Sequence, residues 1–229
     1  EIRLSLVGSE MCIRDSCQIV NFSTQAVAEW AVLMMFNLAR QTPRLIKDDF
    51  PLDYEKDFMK YRGVQLKGKT AGIIGLGHIG SAIAEACKGL GMEVIYWSRS
   101  SVNDAYKKVS LEEVLSTADV IFPTVAKNAE TLALITDDHL RSMKKSAILV
   151  DIAHGLFSQE KALDMVTKGD LFGYGFEGKP KEFTTFEGNV WAAPSYAWTT
   201  YESMHNSVVR WVDNMIRATK NEFPTRVNK

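Results

Sequence analysis

The segment GIIGLGHIG sets Gly75, Gly77 and Gly80 in the spacing G-x-G-x-x-G, between a β-type apolar run and a helical pattern. Each glycine answers a different demand of a bound dinucleotide. The first permits a tight turn, the second lets backbone approach a pyrophosphate, and the third lets the following helix pack closely, its free N–H groups facing the anion. Strand, motif, helix and a second strand ending near Trp97 fit within about 30 residues, as that fingerprint requires. Where the second strand ends, an NAD site usually places an acid for the ribose 2′-OH. Here the chain reads Trp97, Ser98, Arg99, Ser100, Ser101, with no acid before Asp104. A guanidinium and hydroxyls suit a 2′-phosphate, so NADP is the expected cofactor, with NAD possible; a solvated loop charge is the plainer account of Arg99. A second stretch, SAILVDIAHGLF, runs as an apolar strand into Asp151 and then Ala153, His154 and Gly155, which is either a turn or a catalytic loop.

Such positions need a scaffold. Strand candidates are AGIIG, EVIYW, DVIFPTV, AILVD, LFGYGF and NVWAA, and between them lie HIGSAIAEACKGLG, LEEVLSTA, DDHLRSM and SQEKALDMVTKG, with apolar residues at helical spacing. Apolar runs buried on both faces and alternating with helices imply an α/β fold, a doubly wound parallel sheet of βαβ units. Residues 24–48 are rich in Ala, Leu and Met and predict a long apolar helix that Pro43 kinks or ends. At the other end, Thr199 followed by Glu202 has the form of a capping box, with Thr199 and Thr200 as hinge and cap. Met204, Val208, Trp211, Val212, Met215 and Ile216 then fall on one face of a helix over about residues 200–219.

Composition narrows the classes. The chain has 229 residues, 46% hydrophobic and 24% charged, with net charge -1, an ordinary globular balance without the basic field that nucleic acid requires. Its longest apolar run, WAVLMMF, is too short to cross a bilayer, so the expectation is a cytoplasmic protein with no membrane partner. Cys12, Cys17 and Cys87 form no C-x-x-C pair and the four histidines lack metal-ligand spacing, so reduced thiols and no metal are expected. LSLVGSEMCIRDS, residues 4–16, has neither strand alternation nor a helix stripe. It resembles translated adapter sequence, and residues 1–16 are set aside as a non-native scar, a frayed natural terminus being the alternative.

Over residues 20–202 the chain resembles the D-isomer-specific 2-hydroxyacid dehydrogenases, the family that includes glyoxylate and hydroxypyruvate reductases. The resemblance rests on AVAEWAVLMMFNLAR, LKGKTAGIIGLGHIGSAIAEACKGLGMEVIYWSR, ETLALITDDHLRSMKKSAILVDIAHG with EKAL, and GNVWAAPSYAWTTYES, in the family's order and spacing. It implies a Rossmann nucleotide domain over residues 17–199 and a C-terminal helix, residues 200–229, returning to a substrate domain of which only remnants are present. It also implies a small 2-keto or 2-hydroxy acid as substrate and a homodimer paired through the long first helix. The implied cofactor-facing residues are Gly75, Gly77, His78, Ile79, Gly80, Ser98, Arg99, Ser100, Pro123, Thr124, Ile152 and Glu177.

Reducing a 2-keto acid needs a cation for the carboxylate, an acid for the carbonyl oxygen and a carboxylate behind that acid. The family uses Arg, His and Glu. Its N-x-A-R-G loop falls here on Asp151, Ile152, Ala153, His154 and Gly155, so the resemblance makes the second stretch the catalytic loop, with histidine in the arginine's place. Its Pro-His pair falls on Pro194 and Ser195, and Glu177 stands where the family has a strand-end aspartate. The candidate catalytic residues are therefore His154, Glu177 and Ser195. Arginine is always charged and forks onto a carboxylate, whereas a free histidine titrates near about pH 6.5 and serine donates no comparable proton. One reading makes His154 the acid, its charge supported by Asp151 or Glu177, with Lys179 or Lys181 holding substrate. The other leaves His154 a loop residue and the protein a dinucleotide-binding sensor or scaffold that has lost turnover.

Overall fold

The computed structural model describes residues 19–48, 53–57, 59–178, 186–220 and 222. These divide into two compact units, one within residues 27–197 and one that holds residues 19–26 and 198–220.

The larger unit is built on seven parallel strands: β1 (Thr70–Ile74), β2 (Glu93–Trp97), β3 (Lys107–Lys108), β4 (Val120–Pro123), β5 (Ile148–Asp151), β6 (Gly173–Gly178) and β7 (Val190–Pro194). They lie in the order β3-β2-β1-β4-β5-β6-β7, so the winding reverses between β1 and β4. In such sheets that reversal opens a crevice at the carboxyl ends of the strands, where ligands bind. Every strand expected from the sequence is present. β3 was not expected: it is two exposed lysines paired with Ile95 and Tyr96 at the sheet edge, too short to carry a pattern.

Helices α1 (Thr24–Ala39), α2 (Thr42–Lys47) and α3 (Tyr54–Asp57) precede the sheet; α4 (His78–Gly89), α5 (Leu111–Thr117), α6 (Asp137–Arg141) and α7 (Gln159–Lys168) alternate with its strands. Strand residues alternate between two cores because successive side chains point to opposite faces. Ala71, Ile73, Val120, Phe122, Ile148 and Val150 pack with Met34, Met35 and Leu38 of α1 and Ile83, Ala84 and Cys87 of α4. Ile74, Ile121, Leu149, Tyr174 and Phe176 face the other way, onto Val114 and Leu115 of α5, Leu140 of α6 and Met165 of α7. The apolar first helix is thus a core helix. Gly175 allows its approach: a Cβ there would lie 3.0 Å from both Leu38 and Met34 side chains. The break in this helix precedes the expected one. The chain turns at Gln41, in the left-handed region with φ 52°, and Pro43 lies in the first turn of α2, where its missing N–H costs nothing.

In the smaller unit α8 (Tyr201–Thr219) is capped by Thr200, whose hydroxyl accepts from the Ser203 N–H at 3.1 Å. Thr200 is therefore the cap, as expected, but it pairs with Ser203 in place of the Thr199 and Glu202 capping box. Arg210 donates to the Val20 carbonyl at 2.6 Å, and Phe22 meets Trp198 edge-on. Met204, Val208, Trp211, Val212, Met215 and Ile216 of α8 are all exposed.

Candidate active site

The three glycines differ in what surrounds them. Gly75 has φ 102°, and a Cβ on it would strike Val125 Cγ1 at 2.6 Å and Val125 N at 2.9 Å. A Cβ on Gly80 would lie 2.1 Å from the Gly75 carbonyl oxygen and 2.7 Å from Thr124 Oγ1. A Cβ on Gly77, the residue that caps α4, would meet nothing within 4 Å. Two glycines are thus required for packing, and the third borders open space in front of a helix N-terminus. That space has the character of an anion cradle, with free N–H groups and the positive end of the α4 dipole around it. Exposed His78 and half-buried Ile79 begin the same helix.

Neighbouring strands hold this turn in place. The Gly75 N–H donates to the Trp97 carbonyl at the end of β2 at 2.8 Å. After β4, which ends at buried Pro123, the Thr124 N–H donates to Ile74 O at 2.8 Å and its hydroxyl to Gly75 O at 2.5 Å. Beyond β2, the buried Ser98 hydroxyl accepts from the Ser101 N–H at 3.1 Å and closes a turn that leaves Arg99 and Ser100 exposed. Arg99 is not a free cation, for its guanidinium pairs with Glu130.

The proposed catalytic loop leaves β5 through a buried aspartate. Asp151 Oδ1 accepts from the N–H groups of Ala153 and His154, both at 3.1 Å, and the Tyr174 hydroxyl donates to Oδ2 at 3.3 Å. Burial pushes the Asp151 carboxyl above its ordinary range, against the His154 N–H, the nearby imidazole, the Ala153 N–H and Tyr174, which favour its anion. This bonding forms an Asx-type turn, which allows His154 to stand at φ 54° ahead of Gly155 at 77°. An aspartate two and three residues before the N–H groups it caps is a local signal legible in the sequence. Its tyrosine partner on β6 is not.

Glu177 lies near the end of β6, 7% exposed, and its Oε1 accepts from the N–H groups of Tyr196 and Ala197, both at 2.9 Å. Burial raises its pKa, opposed by those two N–H groups and by the charge of His154. The carboxylate thus fastens the loop that carries exposed Ser195. His154, Glu177 and Ser195 come together at the carboxyl ends of the adjacent strands β5, β6 and β7. Half-buried Ile152 packs against the core that the sheet shares with α1 and α4. Lys179 and Lys181 fall outside the described residues, as do Cys12, Cys17 and residues 1–16.

A surface cavity of about 670 Å³ lies elsewhere, against Arg44, Lys47, Lys145 and Asn189. Its residues precede β5, β6 and β7, so it opens at the amino ends of the strands. None of the candidate catalytic or cofactor-facing residues lines this cavity. Among the described residues no cluster of His, Cys, Asp or Glu could hold a metal, and no helix is long and apolar enough to cross a membrane.

The family described as D-isomer specific 2-hydroxyacid dehydrogenase, NAD binding domain, matches residues 32–202. Two curated relatives, the glyoxylate reductases of Pyrococcus furiosus and Thermococcus kodakarensis, are each 36% identical over 182 residues. The match covers 74% of this chain and 54% of each relative, so the chain spans about half their length. The crystal structure of a glyoxylate reductase from Paecilomyes thermophila is 26% identical, with a TM-score of 0.80 over 93% of this chain and 67% of that one.

Proposed function

The chain belongs to the D-isomer specific 2-hydroxyacid dehydrogenase family, and from that premise we propose that it is the dinucleotide-binding part of an oxidoreductase acting on a small 2-keto or 2-hydroxy acid. NADP is the preferred cofactor, with NAD as the alternative. The observation that carries this reading is the contrast among the glycines: two are needed for packing, while Gly77 caps α4 and faces open space in front of the helix N-terminus, where a pyrophosphate would lie.

In this reading the N–H groups around Gly77 and Ile79 hold the pyrophosphate, and Arg99 with Ser98 and Ser100 receives the 2′-phosphate. Bound NADPH would supply the hydride to the carbonyl carbon. The chain itself must orient the keto acid, exclude water and deliver a proton to the carbonyl oxygen. His154 is the proposed donor, pinned through its backbone N–H to Asp151, with Glu177 as the second carboxylate nearby. Glu177 also positions the Ser195 loop.

The second reading, a dinucleotide sensor or scaffold, is favoured by one observation. Ser195 lacks an acid's chemistry, and the Glu177 oxygen that would support such an acid is bonded to backbone. Oxidation of NADPH on adding glyoxylate or hydroxypyruvate separates the two, using a protein completed to the length of the relatives. Turnover supports the enzyme; tight NADPH binding with no oxidation of either substrate supports the sensor. The 229-residue chain is expected to bind without turnover, because about half of the relatives' length has no counterpart in it. A cytoplasmic homodimer paired through α1, where Leu33 and Phe36 remain exposed, completes the proposal, and light scattering at high concentration tests the pairing.

A further inference from the structure

One contact spans the carboxyl edge without a role in the reading above. β2 and β4 flank β1 on opposite sides, so the segments leaving them stand on either side of the glycine turn. Arg99 is the second residue after β2 and Glu130 lies in the loop after β4, yet their side chains form an ion pair. The pair therefore links the segments that leave the two strands flanking β1.

The loop that presents Glu130 is fixed by its own bonds. Asn128 Oδ1 accepts from the N–H groups of Glu130 at 2.9 Å and Thr131 at 3.1 Å. The buried Thr131 hydroxyl accepts from the Asn128 N–H at 2.9 Å and donates to Ala126 O at 2.7 Å. Upstream, Val125 packs directly on Gly75. The Glu130 backbone is thus held by bonds within its own loop, whose upstream residue Val125 packs on the glycine turn, and its carboxylate pairs with Arg99.

We infer that Glu130 is a specificity-determining residue for the dinucleotide: it occupies Arg99 until a 2′-phosphate displaces it, and so weakens the preference for NADPH over NADH. The inference rests on the reading of Arg99 as a 2′-phosphate ligand. Arg99 is already neutralised by one anion, and a phosphate dianion arriving there is repelled by the carboxylate it must replace. NADH carries no such group and requires no exchange. An exposed ion pair sets the scale of the effect at about fivefold in affinity.

Fluorescence titration of the 229-residue chain with NADPH and NADH tests this, using wild type, Glu130→Gln, Glu130→Ala and Arg99→Ala. Both Glu130 variants should bind NADPH about fivefold more tightly and NADH unchanged, with the gain shrinking at high salt. Arg99→Ala should weaken NADPH selectively. If Arg99→Ala is selective while both Glu130 variants bind NADPH as wild type does or more weakly, the inference is overturned and the 2′-phosphate reading stands. Equal losses of NADPH and NADH in Arg99→Ala would overturn both.

Discussion

Alanine at Gly77 and alanine at Gly80 should damage the protein in different ways. A methyl on Gly80 would sit 2.1 Å from the Gly75 carbonyl oxygen, 2.7 Å from the Thr124 hydroxyl and 3.1 Å from Ile73 Cγ2. The carbonyl is backbone held by Thr124, and Gly75 is tied through its N–H to Trp97, so the start of α4 must retreat by roughly 1 Å to restore ordinary contact. Overpacking of this kind costs about 1–3 kcal/mol, a fall of roughly 2–12 °C in Tm for a domain of this size. A methyl on Gly77 meets nothing within 4 Å, and the residue's φ of -84° is open to alanine. Its folding cost is a weaker N-cap, about 1 kcal/mol or less. The same methyl fills the space assigned to the pyrophosphate, where each lost charge-assisted hydrogen bond costs about 1.5–3 kcal/mol, or roughly ten- to a hundredfold in affinity. Thermal melts paired with NADPH titration should show Gly80→Ala losing both stability and binding, and Gly77→Ala losing binding with Tm within about 4 °C of wild type. Wild-type NADPH affinity in Gly77→Ala would refute the pyrophosphate placement, and a wild-type melt in Gly80→Ala would refute the packing argument.

Three further outcomes follow from the same geometry. Burial raises the Glu177 pKa, so its contribution to stability is full below the ordinary carboxylate range and is lost as pH rises through the raised folded value. Glu177→Gln keeps an oxygen for the Tyr196 and Ala197 N–H groups, and its Tm relative to wild type should climb from acid to neutral pH; a difference constant with pH would contradict this. Burial pushes the Cys87 thiol up to about 12, so Cys87 should resist alkylation of the native protein in peptide mapping, and rapid native labelling would show that its pocket opens. The apolar face of α8 is exposed, with Val208 at 58% and Ile216 at 51%, so α8 should exchange amide hydrogens faster than α4; equal protection would show that this face is covered in solution.

The parts legible in the sequence were those set by local rules. β1, β4 and β5 announced themselves because both faces are buried, leaving unbroken runs such as Val120–Pro123. The glycine spacing located the turn because each position has its own steric demand. What stayed hidden depends on partners distant in sequence. Nothing near Arg99 points to Glu130, and nothing near Glu177 reveals that its oxygen would go to the backbone of residues 196 and 197. Tyr174 lies within an expected strand, and nothing in its neighbourhood in the sequence ties its hydroxyl to Asp151. The helix break moved from Pro43 to Gln41 because proline is tolerated in a helix's first turn, and the capping pair is Thr200 with Ser203, not Thr199 with Glu202, because adjacent threonines offer the same side-chain oxygen.

The central claim is that the carboxyl edge around β1, rather than the cavity at the amino ends of the strands, receives a nicotinamide dinucleotide. Hydrogen exchange of the 229-residue chain with and without saturating NADPH tests it most directly. Slowed exchange is expected at residues 75–80, 98–101 and 152–155. Unchanged exchange at residues 75–80, or slowing confined to the surroundings of Arg44, Lys47 and Lys145, would contradict it.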